Sequence, residues 1–412
     1  MPSSTPFPAE IYDSIIDELA SSKDTLSACS LVHSSWAPRS RTHMFRNIAF
    51  KVEAPERNHP PLDSRTTAFQ QHVASNRTVA SYARSLVLTL TDKENIATQI
   101  PQASHLHNLL SLTLKCSHLT IHSANDSVLT RLLSFIRHNS HLEHISLQSV
   151  IIDPSGFEVF LACIAIRTRE IQSLYLHDIW APDWINDAWG RWRARRTEFN
   201  TNYRSRSLAR LCISYCEDGV IPALIRTFDV YRLEKLALLS LGWDSCTTML
   251  SATLQAESLA HLTIEISENR QISSHDTRED HVFYRLTSIP TLQLMLRKFQ
   301  DAPTVLHKLY RSALQRPPRL QKLHLQFRRY PSGFDTNLDR ALNELFSLMP
   351  FLRVSIGFDI QEGSIRSTCS AGGIISSPGE ISALFPLMNQ RGSLRFRSLD
   401  SWWTSAESRK SD

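Results

Sequence analysis

Residues 141–150 read HLEHISLQSV, and in them Leu142, Ile145 and Leu147 are apolar at positions 1, 4 and 6 with mostly polar residues between. The same register recurs as Leu109-Leu112-Leu114, Ile171-Leu174-Leu176, Leu208-Leu211-Ile213, Leu233-Leu236-Leu238, Leu259-Leu262-Ile264 and Leu320-Leu323-Leu325. First positions are 33, 29, 37, 25, 26 and 61 residues apart, and the last interval holds a weaker copy at Ile289-Leu292-Leu294. Unrelated packing would not keep repeating one spacing. The period predicts a solenoid, and solenoids bind partners along their length.

Working outward, a helical stripe precedes several of these strands. Val128, Leu132, Leu133 and Ile136 lie ahead of Leu142, and Phe157, Phe160, Leu161 and Ile164 ahead of Ile171. Leu306, Leu309 and Leu314 lie ahead of Leu320; Leu338, Leu342, Leu345 and Phe346 lie ahead of a weaker strand at Phe351-Val354-Ile356. Short strand, turn and helix, repeated, predict a parallel sheet with helices on one face. The expected fold class is therefore α/β: a right-handed α/β solenoid over residues 66–412, with 85–90 (SLVLTL) as its first strand after a helix-like stretch carrying Phe69, Val73 and Val79.

Bulk composition agrees with a folded chain. The 412 residues are 42% hydrophobic and 21% charged, and the net charge of +5 is too mild to argue for nucleic acid by itself. Glycine numbers 11, where average usage gives about 29. No phosphate-cradling loop can be assembled from so few. The seven cysteines are scattered through apolar stretches, and Cys212 with Cys216 has no second pair at zinc spacing, so reduced buried thiols are expected. The start, MPSSTPFPAE, lacks the basic and apolar regions of a signal peptide, and the longest apolar run, Phe160 to Ile166, is too short to span a bilayer. A cytoplasmic or nuclear protein is expected.

The first fifty residues read differently. Pro8 suits a first helical position, and Glu10 and Asp13 suit the positive end of the helix dipole. Ile11, Ile15 and Leu19 follow at i, i+4 and i+8, with Ile16 beside them. A second helix carries Leu26, Leu31 and Val32, Trp36 follows, and Pro38 opens a third with Met44 and Phe45. Three short helices cannot bury all these apolar faces by themselves, so some must pack on a neighbour. Residues 1–50 are thus expected as a small helical domain. A polar, proline-bearing connector, KVEAPERNHPPLDSR (51–65), follows it.

The segment from Phe7 to Ile48 resembles an F-box, whose pattern is Leu-Pro-x-Glu, a spaced isoleucine helix and Leu-Val-x-x-x-Trp. Pro8, Glu10, Ile11, Ile15, Leu19, Leu31, Val32 and Trp36 match it, and Phe7 replaces the first leucine. The ending from Trp36 to Phe45 is similar to that of F-box proteins of mushroom-forming fungi. The resemblance, over about a tenth of the chain, implies docking on the Skp adaptor of a cullin-RING ubiquitin ligase through Pro8, Ile11, Ile15, Leu19, Leu31, Val32 and Trp36. The rest of the chain would then capture a protein substrate. It also implies a non-enzymatic role, raising the effective concentration of substrate lysines near a charged conjugating enzyme. Trp36 fits either that interface or internal packing.

The repeat region in turn resembles a leucine-rich repeat of the long irregular kind that F-box proteins carry. It departs from that pattern where an asparagine or cysteine ladder normally lies. Those positions hold Ser117, Val150, Ile179, Cys216, Leu241, Ser267 and Arg328, of which only Cys216 fits, so packing rather than a ladder is expected to hold the turns.

Between Trp180 and Arg210, Trp184, Trp189 and Trp192 sit beside Arg193, Arg195 and Arg196. As structure this is a helix with a core stripe and a solvated face. As function it is a recognition patch for an acidic or phosphorylated peptide, or less readily for single-stranded nucleic acid. The polar stretch 265–280 reads as an exposed loop, and Trp402 with Trp403 as a terminal cap. No metal site is expected at His105/His107 or His141/His144, which lack acidic or thiol partners at ligand spacing. No catalytic motif and no cofactor motif occurs. Besides the ligase receptor, the same sequence fits a scaffold that recruits no ligase, or an RNA-binding solenoid.

Overall fold

The computed structural model describes residues 8–52, 71, 75–91, 106–121, 127–168, 171–180, 206–253, 258–266, 283, 285–297, 299–315, 317–327, 336–358 and 394–396. Its residues cluster into two units, one of 1–209 with 222–229 and one of 210–221 with 230–412.

The first unit opens with α1 (Ala9–Glu18), α2 (Lys23–Val32) and α3 (Ala37–Arg46). Ser22 caps α2 by accepting from the Thr25 amide at 3.4 Å, and Pro38 sits in the first turn of α3. The chain then enters β1 (Asn47–Val52), which pairs in parallel with β2 (Ser85–Thr91). So the sheet begins one strand earlier than expected, and β1 runs across the boundary at residue 50 into the expected connector. Ile48 is buried and sits opposite Leu86. Ile48, Phe50 and Val52 alternate with Asn47, Ala49 and Lys51, a strand signal, but one that directly follows the third helix within a segment expected as helical. Between the two strands α4 (Arg77–Tyr82) carries buried Val79; Phe69 and Val73 lie outside the described residues.

Three repeats follow: β3 (Ser111–Ile121), α5 (Ser127–His138), β4 (His144–Ile152), α6 (Pro154–Arg167) and β5 (Ser173–Trp180). Strands β1 to β5 are parallel neighbours in chain order. A short ribbon pairs β6 (Arg206–Ser207) with β8 (Phe228–Asp229). In the second unit β7 (Arg210–Ser214), β9 (Lys235–Leu239), β10 (His261–Ile266), β11 (Thr291–Leu296), β12 (Lys322–Phe327), β13 (Arg353–Phe358) and β14 (Leu394–Phe396) form seven parallel strands. Its helices are α8 (Trp243–Thr253), α9 (Ala302–Gln315) and α10 (Thr336–Leu348), and α7 (Val220–Thr227) bridges the division. The fold is a solenoid-like α/β repeat.

Register explains the core. Every apolar residue at positions 1, 4 and 6 of the seven clear repeats, and of the weaker copy from Ile289, is buried, as are the paired helical stripes before β4 and β5. Two expected core residues are not. Leu314 is exposed and Ala313 is buried in its place; Phe351 is 91% exposed while Leu352 fills the interior. Both fall at the end of a helix or in the turn after it, where a one-residue rotation exchanges inside for outside.

The turns use three devices. Consecutive amides entering a strand share one carbonyl of the preceding repeat: Leu110 and Ser111 on Arg84, Glu143 and His144 on Leu110, Gln172 and Ser173 on Glu143, and in the second unit Gln321 and Lys322 on Pro290. Within β4 and β5 and just after β7 and β9, Ser149, Asp178, Tyr215 and Ser240 adopt positive φ between 51° and 56°, each five residues beyond the first residue of its strand. That left-handed residue turns the chain so that the next one, Val150, Ile179, Cys216 or Leu241, enters the core. At these four positions the side chain is buried, and at Cys216 the thiol also donates to the Ser214 carbonyl at 3.3 Å.

The third device, polar side chains that staple nearby backbone groups, has no counterpart in the sequence reading. Buried Asn139 accepts from the Leu109 amide at 2.8 Å and donates to the carbonyls of Leu106 at 2.8 Å and Phe135 at 2.9 Å. Ser258 donates to the carbonyls of Tyr231 at 2.7 Å and Leu233 at 3.1 Å, and Ser312 to that of Phe283 at 3.0 Å. Asp153 caps α6 by accepting from the Gly156 amide at 2.5 Å; a Cβ on Gly156 would lie 2.7 Å from that carboxylate, so a larger residue there would have to displace the cap.

Replacing Asn139 with alanine strands a buried amide and buried carbonyls, and the expected cost is about 3 kcal/mol of unfolding free energy in denaturant titration. Ser149→Gly removes the penalty of a left-handed non-glycine residue and should gain about 0.5–1 kcal/mol in the same assay.

Candidate protein-docking surfaces

The helical stripe of the first fifty residues divides in an unexpected way. Ile16 and Leu26 are the buried apolar residues of α1 and α2. Ile11 is 44%, Ile15 50%, Leu31 85% and Val32 66% exposed, and Pro8 is exposed as well. Ile11 and Ile15 are one turn apart on α1 and so share a face; Leu31 and Val32 end α2. Leu19 and Trp36 are half-buried, and Trp36 packs on Tyr12 with ring centroids 5.3 Å apart. Five of the seven residues expected at an adaptor interface thus present themselves to solvent, and Trp36 is partly used within the chain.

A polar cluster that the sequence reading missed ties α1 to α3. Asp17 accepts from Arg39 Nε at 2.6 Å and from the terminal guanidinium nitrogen at 2.5 Å, and His43 Nε2 lies 2.7 Å from the same carboxylate. Chiefly through the Arg39 hydrogen bonds, the Asp17 carboxyl is held at about 2. Separations of 22 and 26 residues leave no local pattern by which sequence could announce it.

The expected tryptophan–arginine patch (Trp184, Trp189, Trp192, Arg193, Arg195 and Arg196) lies outside the described residues, as do Phe7, Trp402, Trp403, His105 and most of the polar loop 265–280. His144 bonds Ser173 Oγ at 2.6 Å and approaches Glu143 at 3.5 Å. Among the described residues no group of three or more His, Cys, Asp or Glu is placed to hold a metal, and no helix is long and apolar enough to cross a membrane. Burial pushes the thiols of Cys116 and Cys246 up to about 12 and that of Cys212 up as well, so these are protonated side chains of the core at neutral pH.

On the strands, residues that alternate with the core leucines face away from it. In the second unit Thr263 donates to Gln293 at 3.3 Å and Gln293 to Gln326 at 2.9 Å, a polar chain crossing three strands. Buried Glu265 accepts from Ser240 at 2.6 Å and lies 3.5 Å from Arg297. At the entry end of the same face, Arg210, Lys235, His261, Thr291, Lys322 and Arg353 occupy a single register line. The sequence does carry a signal for this line, the residue just before the second apolar position of each repeat. It shows only when the repeats are aligned on one another.

The Asp17 cluster predicts a pH effect with a definite sign. A carboxyl whose folded value is depressed stabilises fully above its unfolded value, about 3.9, and loses that contribution as pH falls through about 2. Both side chains are 42% exposed, so screening holds the contribution to about 1 kcal/mol. The difference in amide-exchange protection of α1 between the native chain and Asp17→Asn should be constant above pH 4 and close toward pH 2.

No family model matches the chain, and no curated protein matches it. Among solved structures, a structural-genomics protein from Bacteroides fragilis is similar over 72% of both chains, at 11% identity and a TM-score of 0.35. That likeness is too slight for any argument about fold or function to rest on it.

Proposed function

We propose that this chain is a substrate-recognition subunit of a Skp-cullin-F-box ubiquitin ligase. On this reading the N-terminal helices dock the Skp adaptor and the repeat region holds a target protein. The observation that carries the reading is the exposure of Ile11, Ile15, Leu31 and Val32 on two short helices at positions the F-box resemblance names. Exposed large aliphatic residues grouped on one small element mark an interaction surface, since leaving them in water forfeits burial of about 25 cal/mol per Å². The buried pair Ile16 and Leu26, with the Asp17–Arg39 bridge, keeps the helices together, so the exposed residues are available to a partner without unfolding their support.

The chain itself makes no covalent bond in this scheme. Its contribution is geometric: a target held on the repeats is brought close to a ubiquitin-charged enzyme carried by the cullin-RING scaffold, wherever in the cytoplasm or nucleus that machinery operates. Strand faces of stacked repeats suit the second task, because each repeat adds an independently variable row of side chains to one continuous surface.

Binding of the full chain to purified Skp adaptor tests the proposal. Ile11→Glu with Ile15→Glu should weaken binding at least 100-fold, because charges would have to be buried at the centre of the interface. The thermal midpoint should hold, since both positions are exposed. Adaptor binding that survives the double substitution, or is absent from the native chain, would sink this assignment. Deleting residues 1–46, which removes the three helices and leaves β1 from Asn47 intact, should abolish adaptor binding as well.

A further inference from the structure

The register line at the entry end of the second unit's strands is unusual in composition. It reads Arg210, Lys235, His261, Thr291, Lys322 and Arg353 on β7, β9, β10, β11, β12 and β13, one residue per strand. Lys322 and Arg353 are exposed and the other four are half-buried. The equivalent line in the first unit reads Asn47, Ser85, Ser111, His144 and Ser173, with no permanent charge. The basic character therefore does not come with the repeat. It belongs to one unit and one line.

These charges feel each other. Lys235 is held below its ordinary value by burial and then by Arg210, with Glu234 opposing; His261 is lowered by burial and then by Lys235 and Lys322. Residues 209, 260, 290, 321 and 352, which precede the line on the other strands, are Ala, Ala, Pro, Gln and Leu. Of the residues preceding the line, Glu234 alone is acidic. Like charges assembled at strand spacing oppose one another in the folded chain, and a ligand of opposite sign relieves that opposition.

We infer that this line is a docking track for an extended acidic segment of a protein, its carboxylates or phosphates set against Arg210, Lys235, Lys322 and Arg353. Neutral His261 and the Thr291 hydroxyl offer hydrogen bonds between the fixed charges. Neighbouring strands are about 4.8 Å apart, so the six positions span roughly 24 Å, the length of about seven residues of extended chain. A backbone crossing the strands can meet a fixed cation at both ends and in between, whereas a compact acidic surface would touch one or two. The inference rests on the reading of the repeat region as the target-binding part, and it names the chemistry of that target.

Fluorescence anisotropy with the full chain tests it. Four labelled eight-mers serve as probes: oligoglutamate, oligoglutamine, an alternating phosphoserine-glycine peptide and oligouridylate. Oligoglutamate or the phosphopeptide should bind, more weakly as salt screens the charges, and the tighter of the two identifies carboxylate or phosphate as the preferred group. Oligoglutamine should not bind. Lys322→Glu with Arg353→Glu, both exposed, should reduce acidic-peptide binding at least tenfold with an unchanged thermal midpoint. Ser85→Glu with Ser111→Glu, which places the same two carboxylates on the first unit's line, should leave it within twofold.

Absence of binding by both acidic peptides, survival of binding in Lys322→Glu/Arg353→Glu, or equal loss in both double variants overturns the inference. Tighter binding of oligouridylate through the same residues does so too. Measuring Skp adaptor binding on the same samples separates the two proposals. Ile11→Glu/Ile15→Glu should lose the adaptor and keep the acidic peptide, and Lys322→Glu/Arg353→Glu the reverse.

Discussion

Each repeat of this chain must bury three apolar side chains from a strand only a few residues long, and one strand with one helix cannot cover them. The neighbours must supply the cover, which is why Leu112 sits in register with Ile145 and Ile145 with Leu174, all buried. In-register parallel pairing follows, because a slip of one residue would turn every one of these side chains to the other face. The amides that share a carbonyl of the preceding repeat carry that register through the turns. So do the left-handed residues that return Val150, Ile179, Cys216 and Leu241 to the interior.

That constraint leaves the other face of the strands free to vary. The core positions are occupied by Leu, Ile and Val almost throughout, whereas the intervening positions range from Ser111 to Lys115 and from Cys212 to Glu265. In the first unit those side chains are half-buried or exposed, as at Thr113 and Lys115, and variation there costs little stability; in the second unit Cys212, Ala237, Thr263 and Glu265 are buried, and the freedom lies at the entry-end line. The contrast between a neutral line in one unit and a basic line in the other is a case of this freedom. The N-terminal helices follow a different logic. Their small interior of Ile16 and Leu26 is supplemented by the Asp17–Arg39–His43 cluster, and most of their apolar surface is left for something else to cover.

Much of the fold was legible before any coordinates. A 1-4-6 apolar spacing survives in sequence because burial on a strand tolerates few substitutes, and helical stripes such as Phe157, Phe160, Leu161 and Ile164 announce themselves for the same reason. What escaped notice was either short or marginal. Strand β1, NIAFKV, follows directly on α3 within a segment that reads as helical, and at Phe351 the choice between it and Leu352 depends on how the chain leaves α10. Asn139 looks like any turn asparagine; its importance comes from backbone groups of the preceding repeat, 30 and 33 residues away.

The candidate surfaces show the same division. Sequence alone determined that the chain is a strand–helix repeat array preceded by a distinct helical segment, and which residues of that segment carry an apolar stripe, because periodicity is a local property. Only the tertiary structure decided which side of the stripe is interior, leaving Ile11 and Ile15 outside and Ile16 within, since that depends on how α1 meets its neighbours. It alone brought Arg210, Lys235, Lys322 and Arg353 onto one line. Residues 25 to 143 positions from Arg210 become neighbours or near neighbours only when parallel strands stack in register, and charge on a surface acts through space and not along the chain.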